Sequence, residues 1–166
     1  MAKKKILKLD EEFYEPEELV VIINSTNKDY RMAYFMNKYL KFEFSRRSDL
    51  ICDLKNNTST RYSVYRHHQP DSHVDWYLVN NRHAEGNLIP KLQNVDYLLI
   101  IRGNYRAVSI ENILTKIRQI PNTMYAQKMP QEQFKLMPEV FDMLELMILE
   151  ETKKEKEKYW KDKTRL

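Results

Sequence analysis

Asp29, Arg31, Asn80, Asn81, Arg82, Asp96 and Tyr97 are the side chains whose types and placing could support chemistry. Each stands beside the end of an expected element, and loops at strand ends are where ligand sites gather. The forked guanidinium of Arg31 or Arg82 could grip an anion or a partner's carboxylate. Asp29, Asn80, Asp96 and Tyr97 would complete a polar pocket around it. The same residues also have an architectural use. Asp29 would cap a helix, Asp96 would pair with an arginine, and Tyr97 would pack with its hydroxyl satisfied. Structural ion pairs imitate functional ones. An enzyme built on Asp29, Arg31, Arg82 and Asp96 requires Arg31, Arg82 and Asp96 to converge in one concavity.

Other chemistry finds less footing. His67, His68 and His73 gather with Asp71 and Asp75 near an expected hairpin turn. Adjacent strand residues point to opposite faces, so His67 and His68 cannot ligate one ion together. With no H-E-x-x-H or C-x-x-C, no metal is expected. Cys52 lies in a strand-like run, Leu50 to Leu54, with no helix N-terminus to lower its pKa, which suits an inert thiol. No G-x-S-x-G, G-x-G-x-x-G or G-x-x-x-x-G-K-[ST] pattern occurs, and there are only 2 glycines. The usual phosphate cradles are therefore missing and no cofactor is expected. No catalytic residue is assigned, and the balance leans away from an enzyme.

Lys41, Arg46, Arg47, Lys55, Arg61 and Arg66 interleave with Phe42, Phe44, Tyr62 and Tyr65. Basic and aromatic residues on one β face can bind single-stranded nucleic acid. Strand alternation splits the set between faces, however, which favours an aromatic core with a solvated rim. The net charge is +4 and the pI about 9.0. Glu151 to Leu166 holds 7 Lys/Arg against 4 Asp/Glu, which leaves 21 against 20 for the body. The basic pI is therefore largely a property of the tail. A single cysteine excludes an intramolecular disulfide and fits a reducing compartment. No signal peptide and no apolar run of about 18 residues appear, so a cytoplasmic protein without a membrane span is expected.

Short apolar runs at Lys5–Leu9 and Leu19–Ile23 suggest strands on either side of an acidic loop. A helix is expected over 28–41, with Tyr30, Ala33, Tyr34 and Asn37 on one face and Met32, Phe35, Met36 and Tyr39 widening the apolar arc. Phe42/Phe44, Leu50 to Leu54, Tyr62/Val64 and Val74 to Val79 read as antiparallel strands, the last two forming a hairpin that turns near Gln69 to Ser72. The strongest strand signal is Val95, Tyr97, Leu98, Leu99, Ile100 and Ile101, apolar on both faces as a central strand covered above and below would be. Ser109 opens a helix over 109–120 striped by Ile110, Ile113, Leu114, Ile117 and Ile120. Thr123 to Ala126 suggests one more strand, reached by a right-handed crossover if parallel. A long helix follows from Glu139, with Glu→Lys pairs at Glu150–Lys154 and Glu157–Lys161. Met143, Leu146, Met147 and Leu149 exceed what one buried stripe needs, which points to a second apolar contact, either intramolecular or between copies.

The stretch Ile89-Pro90-Lys91-Leu92-Gln93-Asn94-Val95-Asp96-Tyr97 resembles the signature of the IPExxxVDY family of small bacterial proteins, with Lys91 in place of that family's Glu. Asp29-Tyr30-Arg31 with Asn37, and Leu78-Val79-Asn80-Asn81-Arg82 with Gly86, are similar to two further stretches of it. The resemblance covers roughly residues 3–129 and implies kinship without an activity. The expectation is an α+β protein with a mainly antiparallel sheet, two packed helices and a long C-terminal helix. Residues 1–138 would form one domain, and 139–166 a helix with a charged tail. The function expected first is non-enzymatic interaction or scaffolding, as a homodimer or with a cytosolic protein. RNA or ribosome association through the tail and the 41–66 region is the alternative, with an enzyme of unrecognised polar site behind it.

Overall fold

Runs of β-branched and aromatic residues set the frame. The computed structural model describes residues 18–53 and 58–165. The order is β1 (Glu18–Ser25), α1 (Asp29–Leu40), β2 (Ser45–Arg46), β3 (Leu50–Asp53), β4 (Ser59–Tyr62), β5 (Val64–Gln69), β6 (Val74–Asn80), β7 (Tyr97–Gly103), α2 (Ile110–Arg118), β8 (Thr123–Lys128) and α3 (Pro138–Thr164). The fold is α+β. The strand expected at Lys5–Leu9, the acidic stretch up to Glu17 and the turn residues Lys55, Asn56 and Asn57 lie outside the described residues. Among the described residues no helix is long and apolar enough to cross a membrane.

Six strands form one sheet in the order β2-β5-β6-β7-β1-β8, each antiparallel to its neighbour. β3 and β4 pair as a separate hairpin. β7 lies inside the sheet and is apolar on both faces, because both are covered. Tyr97, Leu99 and Ile101 face a core built with Met32 and Met36 of α1 and Ile113, Leu114 and Ile117 of α2. Leu98 and Ile100 face a second core with Leu88, Ile89, Leu92 and Val95 of the β6–β7 connection, Leu50, Tyr62, and Val140, Leu144 and Met147 of α3. The molecule thus has three layers, with the sheet in the middle.

Three details differ from the pattern of the sequence, and a fourth completes the topology. Tyr30 and Tyr34 point outward, and α1 buries Met32, Ala33, Met36 and Leu40 instead. Phe42 and Phe44 are buried as their alternation implies, yet they lie outside any strand. Their backbone is held by side chains: Phe44 N donates to Asn37 Oδ1 at 2.6 Å, and Glu43 N donates to His67 Nδ1 at 3.0 Å. Tyr62 and Val64 belong to different sheets, since the chain crosses from one to the other at Ser63. β8 pairs antiparallel with β1, so it runs parallel to β7 and the β7–α2–β8 connection straddles β1.

The β5–β6 hairpin forms as expected, with Gln69 opposite Val74. His73 takes φ 54° at its turn. Gly103 (φ 98°) passes so close beneath that a Cβ there would lie 2.2 Å from the His73 carbonyl oxygen. Only glycine fits both the backbone conformation and the space.

Candidate functional site

The polar residues at the β1, β6 and β7 ends are gathered by the loop that enters β7. β1 and β7 stay paired as far as Ile23 opposite Tyr97. Asp96 N then donates to Ile23 O, and β1 meets a register irregularity with β8 at Asn24/Ser25. Ser25 N, two residues past the last β1–β7 pair, donates to Asp96 Oδ2 at 2.7 Å. The other carboxylate oxygen accepts from Arg82 Nε, and Arg82 also donates to Gln93 O at 2.8 Å. Tyr97 donates its hydroxyl to Asn27 O at 2.5 Å, just before α1 begins. Burial pushes that phenol well above its ordinary range, with Asp29 and Asp96 adding to the effect, so it stays a donor.

Asn81 completes this cluster from a fully buried position. Its amide donates to Leu92 O and Val95 O and accepts from Ile89 N at 2.8 Å. One side chain therefore replaces the backbone pairing that the Ile89–Val95 loop lacks. The stretch that resembles a family signature is an architectural latch. Ile89 and Val95 pack into the core, and Asp96 and Tyr97 tie the loop to β1 and α1.

A polar hollow of about 500 Å³ remains above the latch, lined by Asp29, Asn80, Arg82, Asp96, Tyr97 and the segment from Asn24 to Lys28. Five of the residues singled out in the sequence thus share one concavity. Arg31 does not. It lies on the outer side of α1 with its guanidinium 5.8 Å from the Phe35 ring. The convergence of Arg31, Arg82 and Asp96 that a catalytic site required is not formed. Both oxygens of Asp96 are engaged by the chain itself, and Asp29 receives Arg46 and Tyr30 N. The two carboxylates that line the hollow are therefore already engaged within the chain.

The remaining candidates are equally occupied. His67 stacks on Phe42 (centroids 4.2 Å apart), and burial lowers its pKa from 6.5. His68 and Arg66 both meet Asp75. Among the described residues no three His, Cys, Asp or Glu side chains converge to hold a metal ion. Cys52 is partly buried against the second core. Phe42, Phe44, Tyr62 and Tyr65 are all buried, so none of these rings is free to stack on a base.

A larger concavity lies elsewhere, between α3 and the segment 46–51. It measures about 650 Å³. Leu50, Ile51, Met143, Leu146 and Met147 supply apolar lining, and Arg46, Arg47, Arg61, Asp49, Glu150, Glu151 and Lys154 the charge. Glu151 joins the two walls of the groove, accepting Ser48 N at 2.7 Å and Arg47 Nε at 3.1 Å. Burial works against the charge on Glu151, but these donors outweigh it and hold the carboxyl below its ordinary 4.5. The four α3 residues expected at a contact divide. Met147 is core, Met143 is partly buried against that core, and Leu146 and Leu149 stand 58% exposed. Ile51, 54% exposed, joins them from β3. Its phase was visible beside buried Leu50, but nothing in the sequence brings β3 next to α3.

The chain matches no family model, no curated protein and no solved structure.

Proposed function

We propose that the protein is a non-enzymatic interaction module that docks another cytosolic protein, or a second copy of itself, on the outer face of α3 and the groove beside it. The observation that carries this reading is the pair Leu146 and Leu149. They are more than half exposed and one turn apart, and Leu146 lines the groove of about 650 Å³ together with exposed Ile51. Scattered exposed leucines need no explanation, but a contiguous apolar patch with a polar rim marks an interaction surface. Tyr30 and Tyr34 are as exposed on α1, yet each carries a hydroxyl that water satisfies, whereas the leucines have none. The committed hydrogen bonds of Asp96 and Asp29 and the separate position of Arg31 support the absence of catalysis. The kinship with the IPExxxVDY family is part of the same proposal, supported by the latch its signature residues build.

The test is a pull-down from native lysate, treated with nuclease, using the wild type and the Leu146→Asp/Leu149→Asp double variant. The reading expects a protein held by the wild type and lost from the variant, with the variant as stable to urea as the parent. Equal retention by both would remove it.

A further inference from the structure

The second half of α3 belongs to no layer of the fold. Every residue from Thr152 to Arg165 is exposed. Those fourteen residues extend about 21 Å at 1.5 Å per residue. A highly charged helix of that length is marginal in water by itself. Yet it carries Tyr159 and Trp160 in the open, the indole 63% exposed.

Trp160 is not randomly placed on this extension. At 100° per residue it lies within about 40° of Leu146 and about 20° of Leu149 around the helix axis. One outward stripe therefore holds two leucines at its inner end and a tryptophan at its outer end. Lys153 and Lys156 lie between them, and Glu150 and Glu157 run along one edge. Among the described residues Glu150, Lys153, Lys156 and Glu157 form no ion pair.

We infer that the occupant of this face is a second copy of the same chain, bound through an antiparallel, two-fold pairing of the two α3 helices. This rests on the reading of the α3 face as a docking surface and names what docks there. A two-fold axis at Lys153 brings each Trp160 level with the partner copy's Leu146, since both lie seven residues from it. The same axis brings each Lys156 level with the other copy's Glu150, three residues away on either side. The pairs Leu146–Trp160 and Glu150–Lys156 each occur twice, as an isologous interface demands, while Leu149 falls level with the other copy's Glu157 and lies against its aliphatic stem. A parallel pairing would set Glu150 against Glu150 and Lys156 against Lys156. The two Lys153 side chains meet at the axis, where their long stems carry the ammonium groups out to water beside Glu150 and Glu157. The groove beside Leu146, which Ile51, Met143 and Arg61 also line, receives the indole. Two buried tryptophans supply about 300–500 Å², roughly a third of the smallest stable interface of about 1,200 Å². The leucines, Ile51 and the aliphatic stems along 21 Å of helix provide the rest.

The test is sedimentation equilibrium of the full chain over a concentration series. Compared would be the wild type, Leu146→Asp, Trp160→Ala, Glu150→Lys, Lys156→Glu and the Glu150→Lys/Lys156→Glu double variant. The expected result is a wild-type dimer that Trp160→Ala weakens about tenfold or more, because the indole is lost twice. Each single charge reversal weakens it severalfold, and the double reversal restores it. A wild type that stays monomeric, or a dimer indifferent to Trp160→Ala, overturns the inference. So does a double reversal no better than the singles. The docking surface is a separate matter. A monomer whose Leu146 still binds a different protein refutes only the self-pairing, whereas a dimer indifferent to both Leu146→Asp and Trp160→Ala refutes the use of this face as well.

Discussion

Asp96 accepts the backbone N–H of Ser25 at 2.7 Å across 71 positions of the chain. That bond carries the attachment of β1 to the β7 side past their last pair, Ile23 opposite Tyr97, and it gives a use to an acid that sits nine-tenths buried at the mouth of β7. The carboxylate serves the strand end first and Arg82 second. Asp96 is 12% exposed at its side chain, against 51% for Arg82.

From this ranking Asp96→Ala should cost about 1–3 kcal/mol, the penalty for leaving a buried N–H unsatisfied. Arg82→Ala should cost at most about 1 kcal/mol, as expected for a half-exposed ion pair. Asp96→Asn, which keeps an acceptor, should fall between them. Urea denaturation of the three variants measures this. An Arg82→Ala loss as large as that of Asp96→Ala would mean the ion pair, and not the strand end, is what the acid serves.

Gly103→Ala should destabilise the molecule by about 1–3 kcal/mol through backbone strain alone, more if the His73 carbonyl cannot move aside. Hydrogen exchange should show the loss concentrated where Val74 faces Gly103 at the open end of β6 and β7. Retained protection there would contradict the close approach of the two chains.

His67 gives the fold a dependence on pH. Burial lowers its pKa from the ordinary 6.5, and its Nδ1 accepts Glu43 N, which a protonated ring cannot do. The unfolded chain therefore binds the proton more readily than the folded one. The stability due to neutral His67 is fully present above pH 6.5 and is lost as pH falls through the lower folded value. Urea midpoints measured on both sides of pH 6.5 should drop on acidification in the wild type. They should drop less in His67→Gln, which no longer titrates. Parallel declines in the two would assign the effect to groups other than His67.

Much of this was legible in the chain before folding. Tyr97 to Ile101 announced a strand covered on both faces, because no one-sided environment tolerates consecutive apolar side chains. The stripe from Ile113 to Ile117 announced its helix in the same way. What escaped is what depends on non-local partners. Phe42 and Phe44 alternate like a strand, but the amide of Asn37 takes the hydrogen bonds a neighbouring strand would have made. Tyr62, Ser63 and Val64 read as one strand because alternation does not register a change of sheet. The polar cluster was recognisable in Asp29, Asn80, Arg82, Asp96 and Tyr97. Its anchors Ser25 and Asn27 were not, since they contribute backbone groups that no side-chain pattern reveals. Arg31, drawn into the same group by proximity to Asp29, stands on the far side of the helix because one residue-step pair turns the chain about 200°. For the α3 face, the surplus of Met and Leu was visible. Which of them remain outside was set by how the helix lies on the sheet.

The most direct measurement of the docking face is photo-crosslinking in living cells, with a benzophenone side chain at Lys154 in the groove and, as a control, at exposed Lys116 on α2. The account predicts a discrete protein adduct from position 154 that survives nuclease, is absent from position 116, and disappears when Leu146→Asp/Leu149→Asp is added. An adduct at 154 that nuclease removes or that ignores the two leucines, or no protein adduct there at all, would contradict it.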